Sequence, residues 1–334
     1  MAKRVRMIAV LASVLMLAQG AAVAASEPIR EDRYVTLGGI EQWITIRGKD
    51  RDAPVLLWVH GGPAEVQSPL EPVYEAWTAS YRLVQWDQRG AGRTYLRNPG
   101  PPEAVTLERI AADGIELTEY LARQLSAPKI ILAGHSWGSL VAVTMARARP
   151  DLFELLVGTG QVSSWRETVQ WQYEYALQKA RTAGDEAVVK DLEGMGLPRH
   201  DDFVQYSAMR RKLGPYFPPT DVEWLQRQAS LYRSAPGITA DDLKAFSAGG
   251  GFSMSRLMPT IMKEDLRATV DELATPFCVI QGENDVFTPL PPARAFFEHV
   301  QAPAKQLHVI SGAGHFAAMT HTAEFLSALS KCRR

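Results

Sequence analysis

Apolar residues fall along this chain in short unbroken runs that stop at glycine. "APVLLWVHGG" (53–62), "YRLVQWDQRGAG" (81–92), "PKIILAGHSWG" (128–138) and "FELLVGTGQV" (153–162) all have this form. A run without alternation is the mark of a strand buried on both faces, as in a parallel sheet. Ahead of them "RYVTLGGIEQWITIRG" alternates around Gly38-Gly39 and predicts a hairpin. Residues 106–125 switch to a helical period, with Thr106 as N-cap and Ile110, Leu117, Tyr120 and Leu121 near one face. "SLVAVTMARARP" after Gly138 predicts a second helix, ended by Pro150.

The strand–helix rhythm then breaks. Over about 163–263 the patterns are helical, in "WRETVQWQYEYALQKARTAG", "TDVEWLQRQASLYRSA" and "TADDLKAFSA". Strand patterns resume at "TPFCVIQGENDVFTP" and "KQLHVISGAGH", and a last helix runs through "TAEFLSALSKC". The expected fold is α/β, a doubly wound, mostly parallel sheet with an inserted helical cap domain. The expected boundaries are 1–25 for a signal peptide, 26–162 and 263–334 for the two parts of the core, and 163–262 for the cap. Such an insert would roof the sheet's C-terminal edge, where ligands of these sheets bind. "SAGGGFSMS" within it is expected to be a hinge, a mobile lip or a plain surface loop, because three glycines in a row are not held cheaply.

The N-terminus follows a different logic. "MAKRVR" is basic, "MIAVLASVLMLAQGAAV" is apolar, and "AVAAS" offers small residues for cleavage after Ala24 or Ala25. This is the three-part plan of a secretory signal. The apolar stretch is short for a membrane span. The expectation is a secreted or periplasmic mature protein with no stable membrane association.

Composition adds little beyond exclusions. The chain has 334 residues, 46% hydrophobic and 22% charged, with a net charge of −1. Near-neutral charge argues against nucleic acid as the main partner. The histidines show no H-E-x-x-H or Cys–His spacing, so no metal and no cofactor is expected. Cys278, inside a strand-like run, and Cys332, near the C-terminus, read as two separate thiols, with a disulfide as the alternative.

The chemistry starts at Ser136 in G-H-S-W-G, placed after a predicted strand and before a predicted helix. That is the context a nucleophile elbow requires, with Gly134 and Gly138 allowing the sharp turn. Asp285 and His315 follow in loops just past two later strands, giving the order nucleophile, acid, base. Glu283 lies too close to its strand to compete with Asp285, and Asp271 lies at the strand's wrong end. In these roles His315 takes the Ser136 proton, and Asp285 fixes the imidazole tautomer. The oxyanion needs two donors. Expected are the N–H of Trp137 and one from "HGGPA", at Gly62 or Gly61. Asp87, Gln88 and Arg89 are expected to brace that loop.

Together "VHGGPA", "WDQRGAGRT", "GHSWGS", "GENDVFTP" and "GAGH" resemble the α/β-hydrolase superfamily, and within it the proline iminopeptidase branch. The resemblance spans roughly 34–162 and 274–329. It implies Ser136, Asp285 and His315 as the triad and a helical cap. The chain departs from the branch at Ala64, Thr94 and Ser139, where it has glycine, serine and glycine. In the branch, cap glutamates hold the substrate's free α-amine. Glu167, Glu174 and Glu223 are the candidates here, although a solvated helix face accounts for each as well.

The resulting expectation is a serine hydrolase working through an acyl-enzyme. Its substrate would be a short peptide from which it releases N-terminal proline or another small apolar residue. A carboxylesterase or other small-molecule acyl hydrolase is the alternative with the same chemistry. A non-catalytic ligand-binding protein on a hydrolase scaffold is the alternative from another class.

Overall fold

The computed structural model describes residues 27–100 and 105–333. The expected signal peptide lies outside the described residues. Eight strands form one sheet: β1 (Ile29–Leu37), β2 (Ile40–Gly48), β3 (Val55–Val59), β4 (Arg82–Trp86), β5 (Ile130–His135), β6 (Phe153–Thr159), β7 (Phe277–Gly282) and β8 (Lys305–Ile310). Their spatial order is β1-β2-β4-β3-β5-β6-β7-β8. β1 pairs antiparallel with β2, and β2 with β4. The remaining five pairings are parallel. The topology is that of an α/β-hydrolase fold.

The unbroken apolar runs have a direct physical cause. Every residue of β3 is buried, and its side chains alternate between two cores. Leu57 and Val59 pack with Trp86, Leu117, Leu121, Leu140 and Val141 on one face. Leu56 and Trp58 pack with Trp77, Leu83, Ile131 and Phe325 on the other. Helices Leu107–Gln124 and Trp137–Ala148 supply the first layer and the C-terminal helix Thr322–Cys332 part of the second. Thr106 caps its helix as expected, its hydroxyl accepting from the Arg109 N–H at 3.1 Å.

Between β6 and β7 lie five long helices: Trp165–Ala183, Glu186–Met195, Phe203–Leu213, Pro219–Ser234 and Ala240–Ile261. No strand interrupts them. Two expectations are overturned here. "SAGGGFSMS" is neither hinge nor loop; it is the middle of the 22-residue helix Ala240–Ile261. Gly249 is what brings that helix close to the sheet domain. A Cβ there would stand 2.9 Å from the Gly90 carbonyl and 3.2 Å from the Tyr95 ring. The hydroxyl of Ser253, one turn on, donates to the same carbonyl at 2.8 Å.

The cysteines are also paired rather than separate. Cys278 of β7 and Cys332 in the last turn of the C-terminal helix form a disulfide, with Cα atoms 6.0 Å apart. The pairing depends on how that helix lies across the sheet, which spacing along the chain does not encode.

Candidate active site

The strand β5 runs straight into the helix Trp137–Ala148, with Ser136 at the corner. Ser136 takes φ 54° and ψ −124°, a conformation non-glycine residues rarely hold. Two glycines make the corner possible. A Cβ on Gly134 would meet the Gly138 carbonyl oxygen at 2.3 Å, and one on Gly138 would meet the Val59 carbonyl oxygen at 2.1 Å. Ser139 locks the turn, its hydroxyl donating to the Ser136 carbonyl at 2.7 Å and accepting from the Val162 N–H at 2.9 Å. The departure from glycine at this position thus adds a brace.

Asp285 sits in the loop after β7. Its carboxylate accepts from the N–H groups of Phe287 and Thr288, the Thr288 hydroxyl and the Gln281 side-chain amide, each at 2.9 Å. It faces the Nδ1 of His315 at 2.9 Å and 3.1 Å. Burial works against the charged form of His315, and the carboxylates of Asp285, Asp221 and Glu65 together outweigh it, so the imidazole is held above the usual histidine value. Ser136 and His315 line one cavity of about 680 Å³, with Asp285 buried behind the imidazole. The rejected acids lie elsewhere: Glu283 is tied to the Ser311 hydroxyl and the Gly312 N–H, and Asp271 to His299.

The glycine loop after β3 closes the other side. Gly62 lines the cavity. Gly61 lies against the nucleophile; a Cβ on it would be 3.0 Å from the Ser136 Cβ. Trp137 opens its helix, so its N–H has no carbonyl one turn back to bind. Gln88 ties these parts together. Its side chain donates to the His60 carbonyl at 2.9 Å and accepts from the Trp137 indole at 3.0 Å. Asp87 holds Ser68 and the Arg93 N–H, and Thr94 bonds the Asp87 carbonyl and the Trp43 N–H.

Three groups at the site were not singled out from sequence. Glu65, two residues past Pro63, is the one carboxylate among the described residues that lines the cavity. Gln228 donates to its Oε1 at 2.7 Å, and burial pushes its carboxyl above the ordinary range. Its position directly after "HGGPA" was a legible signal. Asp221, from the helix Pro219–Ser234, is fully buried and accepts from the backbone N–H groups of His315 (2.9 Å) and Phe316 (3.4 Å). Gly314 makes room for it, since a Cβ there would meet the Asp221 carboxylate at 2.3 Å. Arg210, from the helix Phe203–Leu213, lines the cavity as well. Nothing in the local sequence marks Asp221 or Arg210.

The three expected cap carboxylates stand away from the cavity. Glu167 pairs with Arg267, Glu174 accepts from Gln170 at 2.9 Å, and Glu223 is exposed on its helix. The rest of the cavity wall is largely apolar, with Leu140, Trp165, Tyr206, Met254, Met258 and Phe287 prominent.

Comparison with known proteins points the same way. A family model described as serine aminopeptidase, S33, matches residues 50–319. A probable aminopeptidase of Bacillus subtilis, YbaC, is 25% identical over 305 residues, covering 90% of this chain and 96% of that protein. A proline iminopeptidase of Arabidopsis thaliana is 31% identical over 293 residues, covering 81% and 70%. The crystal structure of a proline iminopeptidase-related protein from Thermus thermophilus superposes with a TM-score of 0.66 at 22% identity, over 91% of this chain and 97% of that one.

Proposed function

For a chain that belongs to the serine aminopeptidase S33 family, we propose a serine hydrolase that releases an N-terminal proline or another small apolar residue from short peptides. The Ser136 hydroxyl attacks the first carbonyl as His315 takes its proton. Asp285 keeps the proton of the neutral imidazole on Nδ1 and stabilises the imidazolium. The N–H groups of Trp137 and Gly62, with Gly61 as the neighbouring alternative, receive the oxyanion. His315 then protonates the leaving amine, and water attacks the acyl-enzyme with His315 again as base.

The observation that carries the substrate half of this reading is Glu65. It is a carboxylate in an otherwise largely apolar cavity, on the loop that also carries Gly62. A substrate ammonium is the natural counter-ion for it, and a neutral ester offers none. Chemistry assigned to cap glutamates at the sequence level is therefore reassigned to the loop after β3. The N-terminal pattern and the Cys278–Cys332 disulfide support action outside the cytoplasm, since structural disulfides persist in oxidising compartments.

Rates on prolyl-arylamide, its N-acetylated form and a short-chain aryl ester test the proposal. We expect turnover of the free amine to exceed that of the blocked amide, and Ser136→Ala to abolish turnover of amide and ester alike. Glu65→Gln should raise the KM ratio of free-amine amide to ester by about tenfold, one charge-assisted contact. Preference for the ester with no discrimination against the blocked amine would favour the carboxylesterase. Absence of fluorophosphonate labelling would favour the binding protein.

A further inference from the structure

We propose that Arg210 receives a carboxylate on the leaving-group side of the substrate. The cavity would then select very short peptides with a free C-terminus, dipeptides above all. This inference rests on the peptidase reading above.

The Arg210 guanidinium carbon lies 4.4 Å from the centre of the Phe287 ring and 4.9 Å from that of Phe217. Phe287 in turn stacks on His315, with ring centres 4.8 Å apart and planes 23° from parallel. Phe287 thus neighbours both this cation and the imidazole that hands a proton to the leaving amine. In a dipeptide the carboxylate carbon is two bonds beyond that leaving nitrogen. Phe217 and Phe287, their ring centres 4.9 Å apart, give the guanidinium an aromatic seat, and its N–H groups match a carboxylate.

One of those N–H groups is unsatisfied in the protein. Nη1 of Arg210 is buried without a hydrogen-bond partner, and no carboxylate among the described residues pairs with Arg210. The contrast with Lys212, two residues on, is direct: it pairs with Asp191. Helix-dipole complementarity explains basic residues in this last turn. It does not explain a guanidinium turned into an apolar cavity with a buried N–H left open, which is unfavourable until an anion completes it. The cavity lining carries one carboxylate, Glu65, and the guanidinium groups of Arg210 and its neighbour Arg211, charges that complement a zwitterionic short peptide.

The test compares prolyl-alanine with prolyl-alaninamide, which differ only in the terminal charge. We expect the wild-type enzyme to show a KM at least tenfold lower for the acid, and Arg210→Gln to reduce that ratio to within twofold of unity. Arg210→Lys should retain part of it. Because the readout is a ratio within each protein, a general loss of folding or activity cancels. Equal KM values in the wild type, or an unchanged ratio in Arg210→Gln, would overturn the proposal. Inhibition of aryl-ester hydrolysis by the two dipeptides separates this failure from that of the parent reading. Tenfold stronger inhibition by the acid, lost in Arg210→Gln, supports the carboxylate site even if no peptide is cleaved. Equal inhibition alongside good prolyl-arylamide turnover rejects the carboxylate site alone.

Discussion

Asp221 shows how a single carboxylate on an inserted helix can reach catalysis without touching substrate. It holds the backbone N–H groups of His315 and Phe316 while Asp285 holds the His315 ring, so the catalytic loop is tied to both the insert and the loop after β7. Its charge also helps hold His315 in the protonated form. Asp221→Ala removes the acceptor and lets the loop shift. A misplacement of this kind can reduce kcat by about 10- to 100-fold, with KM little changed. Asp221→Asn keeps an acceptor and removes the charge, so it should retain most of kcat while moving the acidic limb of kcat/KM to lower pH. Steady-state kinetics from pH 5 to 9 reads both effects, and a limb unmoved in Asp221→Asn would refute the electrostatic part. In the wild-type enzyme the base must be neutral, and His315 lies above its ordinary value of 6.5. Activity should therefore rise with pH through a midpoint above 6.5. A midpoint at or below 6.5 would contradict the direction of that shift.

At the scale of elements, legibility followed burial. The strands β3 to β7 were visible because both their faces are covered, and the elbow was visible because its glycines are sterically compelled. The loops after β7 and β8 inherit their positions from those strands, so Asp285 and His315 could be read as well. The insert was harder. Phe203–Leu213 carries few buried residues and a weak apolar stripe, because one flank lines a cavity instead of a core. "SAGGGFSMS" misled because glycine signals conformational freedom in sequence, whereas Gly249 serves as a close-contact site. Two of the three glycines should therefore respond differently to alanine. At Gly251, exposed and with nothing within 4 Å of a Cβ, alanine should stabilise by about 0.5–1 kcal/mol through helix propensity. At Gly249 the same change must push the helix off the Gly90 carbonyl and should destabilise. Urea denaturation of the two variants measures both, and equal shifts would remove the contact argument.

For the whole molecule the decisive long-range link is the disulfide, the feature spacing along the chain could not disclose. Cys278 lies in the strand that leads to Asp285, and Cys332 ends the last helix of the chain. The bond ties that helix across the sheet face where Phe325, Leu329 and Trp58 pack. Its residues are 54 apart in sequence, and closing a loop of that size in the unfolded chain is worth about 4 kcal/mol in the chain-entropy treatment. That is a large share of the roughly 5–15 kcal/mol by which folded domains are stable. Cys332→Ser should thus lower the urea midpoint substantially, and the wild-type protein should approach the variant's midpoint when unfolded with a reductant present. The variant itself should be insensitive to reductant. Superimposable wild-type curves with and without reductant would show that the link contributes nothing, and the C-terminal helix would then owe its place to apolar packing alone.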